Sequence, residues 1–322
     1  MKKNIFVWSF ISVMLLAVVL SGCQPIRGAK ELLSPPPSCP IEGQKICNNQ
    51  CVDPLTDIAN CGKCGNKCIP DTQKCDKGVC VTCPPGLKLC NKQCVDPLTD
   101  IDGNTYKVVT IGDQCWMAEN LKVSHYASGD LIPQISSQIL YWNDEAVRPE
   151  GWVNYAWNSS NDAIYGKIYS WPVITNSKGL CPVGWHVPSD EEFTKLEGFA
   201  DTIYEWDSQD PGWTAIAPAV RGFDCGKKLK SITGWTEILQ NTDDFGFNAI
   251  PGGYKRNNAY PFYGRYWYSV FWTSTPGPNG PGWLRMYSTA TNGVPRGYGP
   301  VGNSPKGPEG AYVRCIKDST VK

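Results

Sequence analysis

The sequence predicts an α+β domain with long, irregular loops, preceded by a small module held together by disulfides. Three observations carry that prediction. Residues 39–94 contain eleven cysteines and no aromatic residue. Near residue 103 the composition turns over: twelve of the thirteen tryptophans lie beyond it, with only four further cysteines, Cys115, Cys181, Cys225 and Cys315. Beyond that point one amphipathic helix stands among short strands and Gly/Pro turns, the mixed pattern of an α+β domain.

The chain opens with Lys2 and Lys3, an apolar run from Ile5 to Leu20, and then Leu20-Ser21-Gly22-Cys23. A positive start, a short apolar stretch and small residues at its end read as a secretory signal, whereas a membrane-spanning helix needs roughly 20 apolar residues. The last four residues resemble a lipobox. Residues 1–22 are therefore expected to be removed and Cys23 to carry lipid. Several acyl chains, at about 0.8 kcal/mol per buried methylene, would hold the mature chain to a membrane. The expected location is the cell envelope, and Gln24 after the cysteine is compatible with an outer membrane or the cell surface. Residues 23–38, with Pro25 and Ser34-Pro35-Pro36-Pro37, read as an extended tether.

Residues 39–101 form the cysteine-rich module. With so little apolar mass it cannot bury a core, and cross-links worth about 2–4 kcal/mol each must replace one. In an exported chain, sixteen cysteines read as disulfides. The module repeats: Cys47-Asn48-Asn49-Gln50-Cys51-Val52-Asp53-Pro54-Leu55-Thr56-Asp57-Ile58 returns as Cys90-Asn91-Lys92-Gln93-Cys94-Val95-Asp96-Pro97-Leu98-Thr99-Asp100-Ile101. The first copy runs on through Cys61, Cys64 and Cys68 to Cys75 and Cys80, while the second stops at Asp102. An odd count leaves one cysteine free, paired with another chain, or cross-linked to the domain beyond. Cys61-x-x-Cys64 has zinc-like spacing, but neither a matching pair nor a nearby histidine completes a tetrad.

Residues 102–318 form the C-terminal domain. A strand is expected over Thr105–Ile111, a turn at Gly112-Asp113, and a second strand from Cys115-Trp116-Met117. Ser189 caps the main helix, with Glu192 completing a capping box and Phe193, Leu196, Ala200 and Ile203 forming its apolar face. A shorter helix is expected over Cys225–Lys230. The Gly- and Pro-rich stretch from Pro276 to Gly310 reads as turns and short strands.

Thirty basic residues balance thirty acidic ones, so nothing in the charge favours nucleic acid as a partner. The two histidines, His125 and His186, complete no recognisable catalytic set. Asp190, Glu191 and Glu192 offer carboxylates, but they sit at a helix N-terminus, where the dipole favours acids. Asp243 and Asp244 sit in a turn. No catalytic residue is assigned. Aromatic surface is the stronger signal. Residues 254–272 hold nine aromatic residues, too many to point inward together. Tyr263, Tyr266, Trp267 and Tyr268, followed by Trp283 and Arg285, are the expected ligand contacts: rings for sugar or protein faces, the guanidinium for an anionic group. The expected role is non-catalytic binding or adhesion, with polysaccharide or a partner protein as ligand. An enzyme of polysaccharide handling and a structural part of a surface assembly are the alternatives.

The cysteine-rich repeat is similar to that of the stigma-specific protein family. The C-terminal domain resembles the Fibrobacter succinogenes major paralogous domain of secreted and surface lipoproteins. The phrases that carry the likeness are Asp102-Gly103-Asn104-Thr105-Tyr106, Trp116-Met117-Ala118-Glu119-Asn120-Leu121 and Tyr165-Gly166-Lys167-Ile168-Tyr169-Ser170-Trp171. Cys181-Pro182-Val183-Gly184-Trp185-His186-Val187-Pro188-Ser189, Phe245-Gly246-Phe247-Asn248-Ala249-Ile250-Pro251-Gly252-Gly253, Trp272-Thr273-Ser274-Thr275 and Val313-Arg314-Cys315 follow in order. The resemblance implies a C-type lectin-like fold and a Cys181–Cys315 bridge tying the start of the main helix to the last strand. It implies no reaction, and no cofactor. Trp142-Asn143-Asp144 is similar to the calcium-binding tripeptide of C-type lectins, but it lies before the main helix rather than near the end of the domain. Calcium at Asn143 and Asp144 is therefore the weaker expectation, and no other metal is expected.

Overall fold

The structure is a computed structural model that describes residues 39–69, 73–84, 87–90, 93–95, 97–136, 149–203, 219–236, 240–256, 261–278, 280–298 and 308–319. The signal segment, Cys23, the tether, Asn143 and Asp144 lie outside the described residues.

The cysteine-rich part is a string of two-stranded hairpins. β1 (Lys45–Cys47) pairs with β2 (Gln50–Val52), β3 (Gln73–Asp76) with β4 (Val79–Thr82), and β5 (Lys88–Cys90) with β6 (Gln93–Val95). Asn48 and Asn49 both take left-handed backbone, φ 50° and 64°, which suits a two-residue hairpin turn and tolerates asparagine. The sequence repeat is a structural repeat: Cys47 faces Gln50 as Cys90 faces Gln93. Disulfides join Cys39 to Cys51, Cys47 to Cys64, Cys61 to Cys75 and Cys68 to Cys80. The buried cluster here is cystine itself, Cys61, Cys68 and Cys75 packed with Ile58 and Cys80. The sulfurs of Cys61, Cys68 and Cys80 lie within 4.8 Å of one another because two disulfides stack, so no thiolate remains there for zinc.

β7 (Leu98–Thr99) and β8 (Thr105–Tyr106) make a small hairpin across the junction. The domain then runs β9 (Val108–Ile111), β10 (Gln114–Met117), β11 (Trp152–Val153), α1 (Asp162–Tyr165), β12 (Ile168–Ser170), α2 (Trp171–Ile174), β13 (Trp185–His186) and α3 (Asp190–Ala200). It continues with β14 (Ala219–Arg221), α4 (Cys225–Leu229), β15 (Gly252–Arg256), β16 (Phe262–Arg265), β17 (Tyr268–Gly277), β18 (Gly280–Ser288), β19 (Val294–Tyr298), β20 (Pro308–Ala311) and β21 (Ile316–Lys317). One sheet has four strands in the order β13-β21-β10-β9. The other has nine, in the order β11-β12-β20-β15-β17-β18-β19-β14, with β16 paired to β15 outside that path.

The α+β, lectin-like expectation is corrected by this architecture. Among the described residues strand accounts for 36% and helix for 14%, and no C-type lectin fold is identified; the described part of the protein is mainly β. The misreading has a physical source in the Gly/Pro-rich stretch. Much of it is strand: β17, β18 and β19 run antiparallel through the middle of the large sheet. Gly282 sits in β18 because a Cβ there would lie 2.0 Å from the Trp171 ring, so glycine marks a close approach rather than a turn. Pro276 falls where the β17–β18 register shifts, a position that spares the ladder a donor.

β17 and β18 are buried on both faces. Val270, Trp272, Leu284 and Met286 join one core cluster, while Phe271 and Tyr287 join the other, the two-residue alternation of a strand. Helix α3 covers the second face with Phe193, Leu196 and Ala200. Ser189 and Glu192 form the expected capping box, but Ile203 lies beyond the helix end and is exposed. Cys181 and Cys315 are joined. Cys90 is joined to Cys115, and Cys83 is also disulfide-bonded. The module's odd cysteine is thus accounted for by a bond into the next domain. Cys225 is free and buried.

Candidate binding site

The motif residues of the domain bind one another. Arg314, fully buried, donates from Nε to Asn120 Oδ1 at 2.9 Å, from Nη2 to the Asn248 carbonyl at 2.8 Å, and from Nη1 to the Phe247 carbonyl. Asn120 in turn donates to the Tyr165 carbonyl at 2.8 Å, and the Arg314 guanidinium lies 4.5 Å over the Phe247 ring. Four separate phrases of sequence meet at this arginine. Asp100 closes the junction turn, accepting from the backbone of Asp102 and Asn104 and from the Tyr106 hydroxyl. These residues are frame, and their chemistry is spent on one another.

The carboxylates and histidine considered for catalysis are similarly engaged. Asp190 accepts from Arg285 Nη1 at 2.6 Å and from Arg296 Nε at 2.7 Å. Burial pushes its carboxyl up, but the two guanidiniums outweigh burial and hold it at about 2. Glu197 accepts from Arg285 Nε at 2.6 Å, and burial nonetheless raises it to about 6. Asp190, Thr194 and Glu197 stand at i, i+4 and i+7 of α3, so one polar stripe of that helix faces the arginines of β18 and β19. Glu192 belongs to the capping box and to His186 Nε2, 2.9 Å away, while His186 Nδ1 lies 2.6 Å from Asp318.

Two expected ligand contacts leave the surface here. Arg285 has no exposed area, since its charge is met by Glu197 and Asp190, and Trp283 is buried beneath Arg296, whose guanidinium lies 3.5 Å from its ring. The sequence placed both correctly in an aromatic region but gave no sign that α3 would cover their strand.

The other four, Tyr263, Tyr266, Trp267 and Tyr268, share one turn at the rim of the large sheet, between β16 and the start of β17. Trp267 is 48% and Tyr266 41% exposed; Tyr263 and Tyr268 are half-buried and lean on the core. Gly264 turns the chain with φ 78°, and a Cβ there would meet the Tyr268 ring at 2.4 Å. Tyr266 then takes φ 74°, a conformation that costs a bulky residue roughly 1–3 kcal/mol. Neighbouring segments hold it there. Tyr266 N donates to the Pro251 carbonyl, Thr236 N donates to the Tyr266 carbonyl, and Thr289 N donates to the Trp267 carbonyl, at 2.9, 2.9 and 3.1 Å.

Around this turn the rings are interleaved with arginines. Tyr263 meets Trp267 edge-on at 6.5 Å, and the Arg256 guanidinium lies 3.8 Å over Tyr263. On the other side of β16, Phe262 packs on Tyr155 and Trp157 at 5.1 and 5.0 Å, and Arg265 lies 4.6 Å over Tyr266. Neither Arg256 nor Arg265 has an acidic partner among the described residues. Trp157, Phe262, Arg256 and Arg265 were not expected as contacts. The arginines flanking the aromatic run were the available signal, whereas Trp157 arrives from far along the chain.

Comparison with protein families places residues 109–317 in the Fibrobacter succinogenes major domain. The chain belongs to that family. The match covers most of the C-terminal domain, and Fibrobacter succinogenes major domain membership suggests a surface protein without assigning it a reaction. No match to a curated protein or to a solved structure was found. The residues that carry the family likeness are those of the Arg314 frame, while the exposed turn at Tyr266 lies just after the Phe245–Gly253 phrase and is held by it through Pro251.

Proposed function

We propose that this Fibrobacter succinogenes major domain protein is a non-catalytic binding module displayed at the cell surface, with a polysaccharide engaged at the β16–β17 turn. The observation that carries the reading is the exposed Tyr266–Trp267 pair, with Tyr266 held in strained backbone and, around it, rings and guanidiniums that have no acidic partner among the described residues. Backbone strain gathers where function needs a side chain aimed. Rigid aromatic faces with polar edges bind sugar rings with little loss of conformational freedom. In the same reading residues 1–22 are a signal, Cys23 bears lipid, and residues 23–38 lift a stigma-specific-like spacer off an outer membrane.

A partner protein is the second reading, favoured by β16 itself. Among the described strands it pairs with β15 alone, leaving an edge to which an extended peptide can add. Catalysis in polysaccharide handling remains the alternative from another class.

The test is a panel of soluble and insoluble polysaccharides offered to the chain from residue 24 onward. Saturable retention without turnover supports the reading. Retention abolished by chelation would bring calcium at Asn143 and Asp144 back into it. Turnover would favour the enzyme, and failure on the whole panel with capture of an extended peptide would favour the protein partner.

A further inference from the structure

A concave site lies away from the aromatic turn, where the cysteine-rich module meets the domain. It is a cleft of about 610 Å³, within the range of roughly 300–1,000 Å³ typical of small-molecule sites. Both parts build it: Leu87 from the truncated repeat, Leu98 and Ile101 from the connection, and Leu180, Val183 and Trp185 from the domain. Val183 is 93% and Ile101 52% exposed, a large apolar outlay in water for a wall that no described residue covers.

Two charged residues border the cleft. Asp100 is used up within its own turn, taking four hydrogen bonds from Asp102, Asn104 and Tyr106. Lys317 is not used up. Its ammonium lies 5.6 Å over the Trp185 ring, and among the described residues it has no acidic partner; neighbouring Asp318 is bound to His186. The site therefore offers apolar walls, one aromatic face and one positive charge.

The cleft is also fixed in shape. In the first repeat Cys47 bonds to Cys64. In the second, Cys90 occupies the equivalent hairpin position but bonds to Cys115 of the domain, with Cα atoms 5.6 Å apart. Cys115 thus stands in for the cysteine lost by truncation, and it locks one wall of the cleft to the other. Preformed walls reduce the ordering cost of binding.

We propose that this cleft binds a small amphipathic anion, its apolar body between Leu98, Val183 and Trp185 and its acidic group on Lys317. The test uses the chain from residue 24 onward with its disulfides intact. Anilinonaphthalene sulfonate serves as the anionic probe and uncharged phenylnaphthylamine as its neutral counterpart, both followed by fluorescence titration. Each should saturate a single site. Val183→Asp, at a position too exposed to affect folding, should weaken both. Lys317→Gln should weaken the sulfonate by about tenfold, the share of one charge-assisted contact, and leave the neutral probe unchanged. Absence of saturable binding, or binding indifferent to Val183→Asp, would overturn the site. An equal response of the two probes to Lys317→Gln would overturn the assignment of an anion.

Discussion

Arg314 is the residue on which most of the domain's frame depends. Its replacement by methionine keeps the apolar stem but strands the Phe247 and Asn248 carbonyls and Asn120 Oδ1. Breaking such a buried charged network costs about 3–5 kcal/mol, so urea unfolding of Arg314→Met should show an unfolding free energy lower by that amount, or no folded protein. Lysine should rescue little, because one ammonium cannot span three acceptors in a planar fork. His186 gives a milder effect with a defined sign. The hydrogen bond to Glu192, with Asp318 adding and burial opposing, raises it from 6.5 to about 9. A raised histidine stabilises fully below its unfolded value and loses that contribution as pH climbs through its folded value. The melting temperature should therefore decline between pH 6.5 and 9, with the change kept to roughly 1 kcal/mol or less by solvent screening of a half-exposed pair. In His186→Gln that decline should vanish. The capping box at Ser189 was legible in the sequence because its signature is local. Arg285 was not, since its partners Glu197 and Asp190 lie some ninety positions away and only folding brings them together.

The elements divide along the same line. Strand β10 and helix α4 lie close to where the sequence puts them, and helix α3 announces itself by its capping box and apolar spacing. The long hairpins of the large sheet do not, because their glycines and prolines follow from neighbours in space. Gly282 is the sharpest case. Gly282→Ala drives a Cβ into the Trp171 ring, and overpacking of this kind costs about 1–3 kcal/mol. Trp171→Leu should remove most of that penalty in the double variant, a non-additivity that thermal melts of all four proteins would reveal. If Gly282→Ala destabilised equally in both backgrounds, Trp171 would not be the reason for the glycine. The aromatic turn was legible as a cluster, but which of its neighbours stay outside depends on α3 lying over β18 and leaving β16 uncovered.

At the scale of the whole molecule, a cystine-held module is bolted to a mainly β domain through Cys90 and Cys115. The odd cysteine count made a cross-link to the domain one of three options, and the hairpin repeat explains why Cys90 is the one that crosses. The double variant Cys90→Ser/Cys115→Ser should leave the domain's own melting transition nearly unchanged, because Cys181–Cys315 and both core clusters remain. Limited proteolysis should then cut at residues 95–102, which the intact protein resists. The central claim, that the β16–β17 turn is the binding face, is tested most directly by comparing the affinity of the parent chain, Trp267→Ala and Phe223→Ala for a polysaccharide that the parent retains. Phe223 is also exposed but belongs to another part of the surface. Weakening by about tenfold or more in Trp267→Ala, the size of a central aromatic contact, with Phe223→Ala unchanged, is the predicted result. Equal affinities for all three proteins would contradict it.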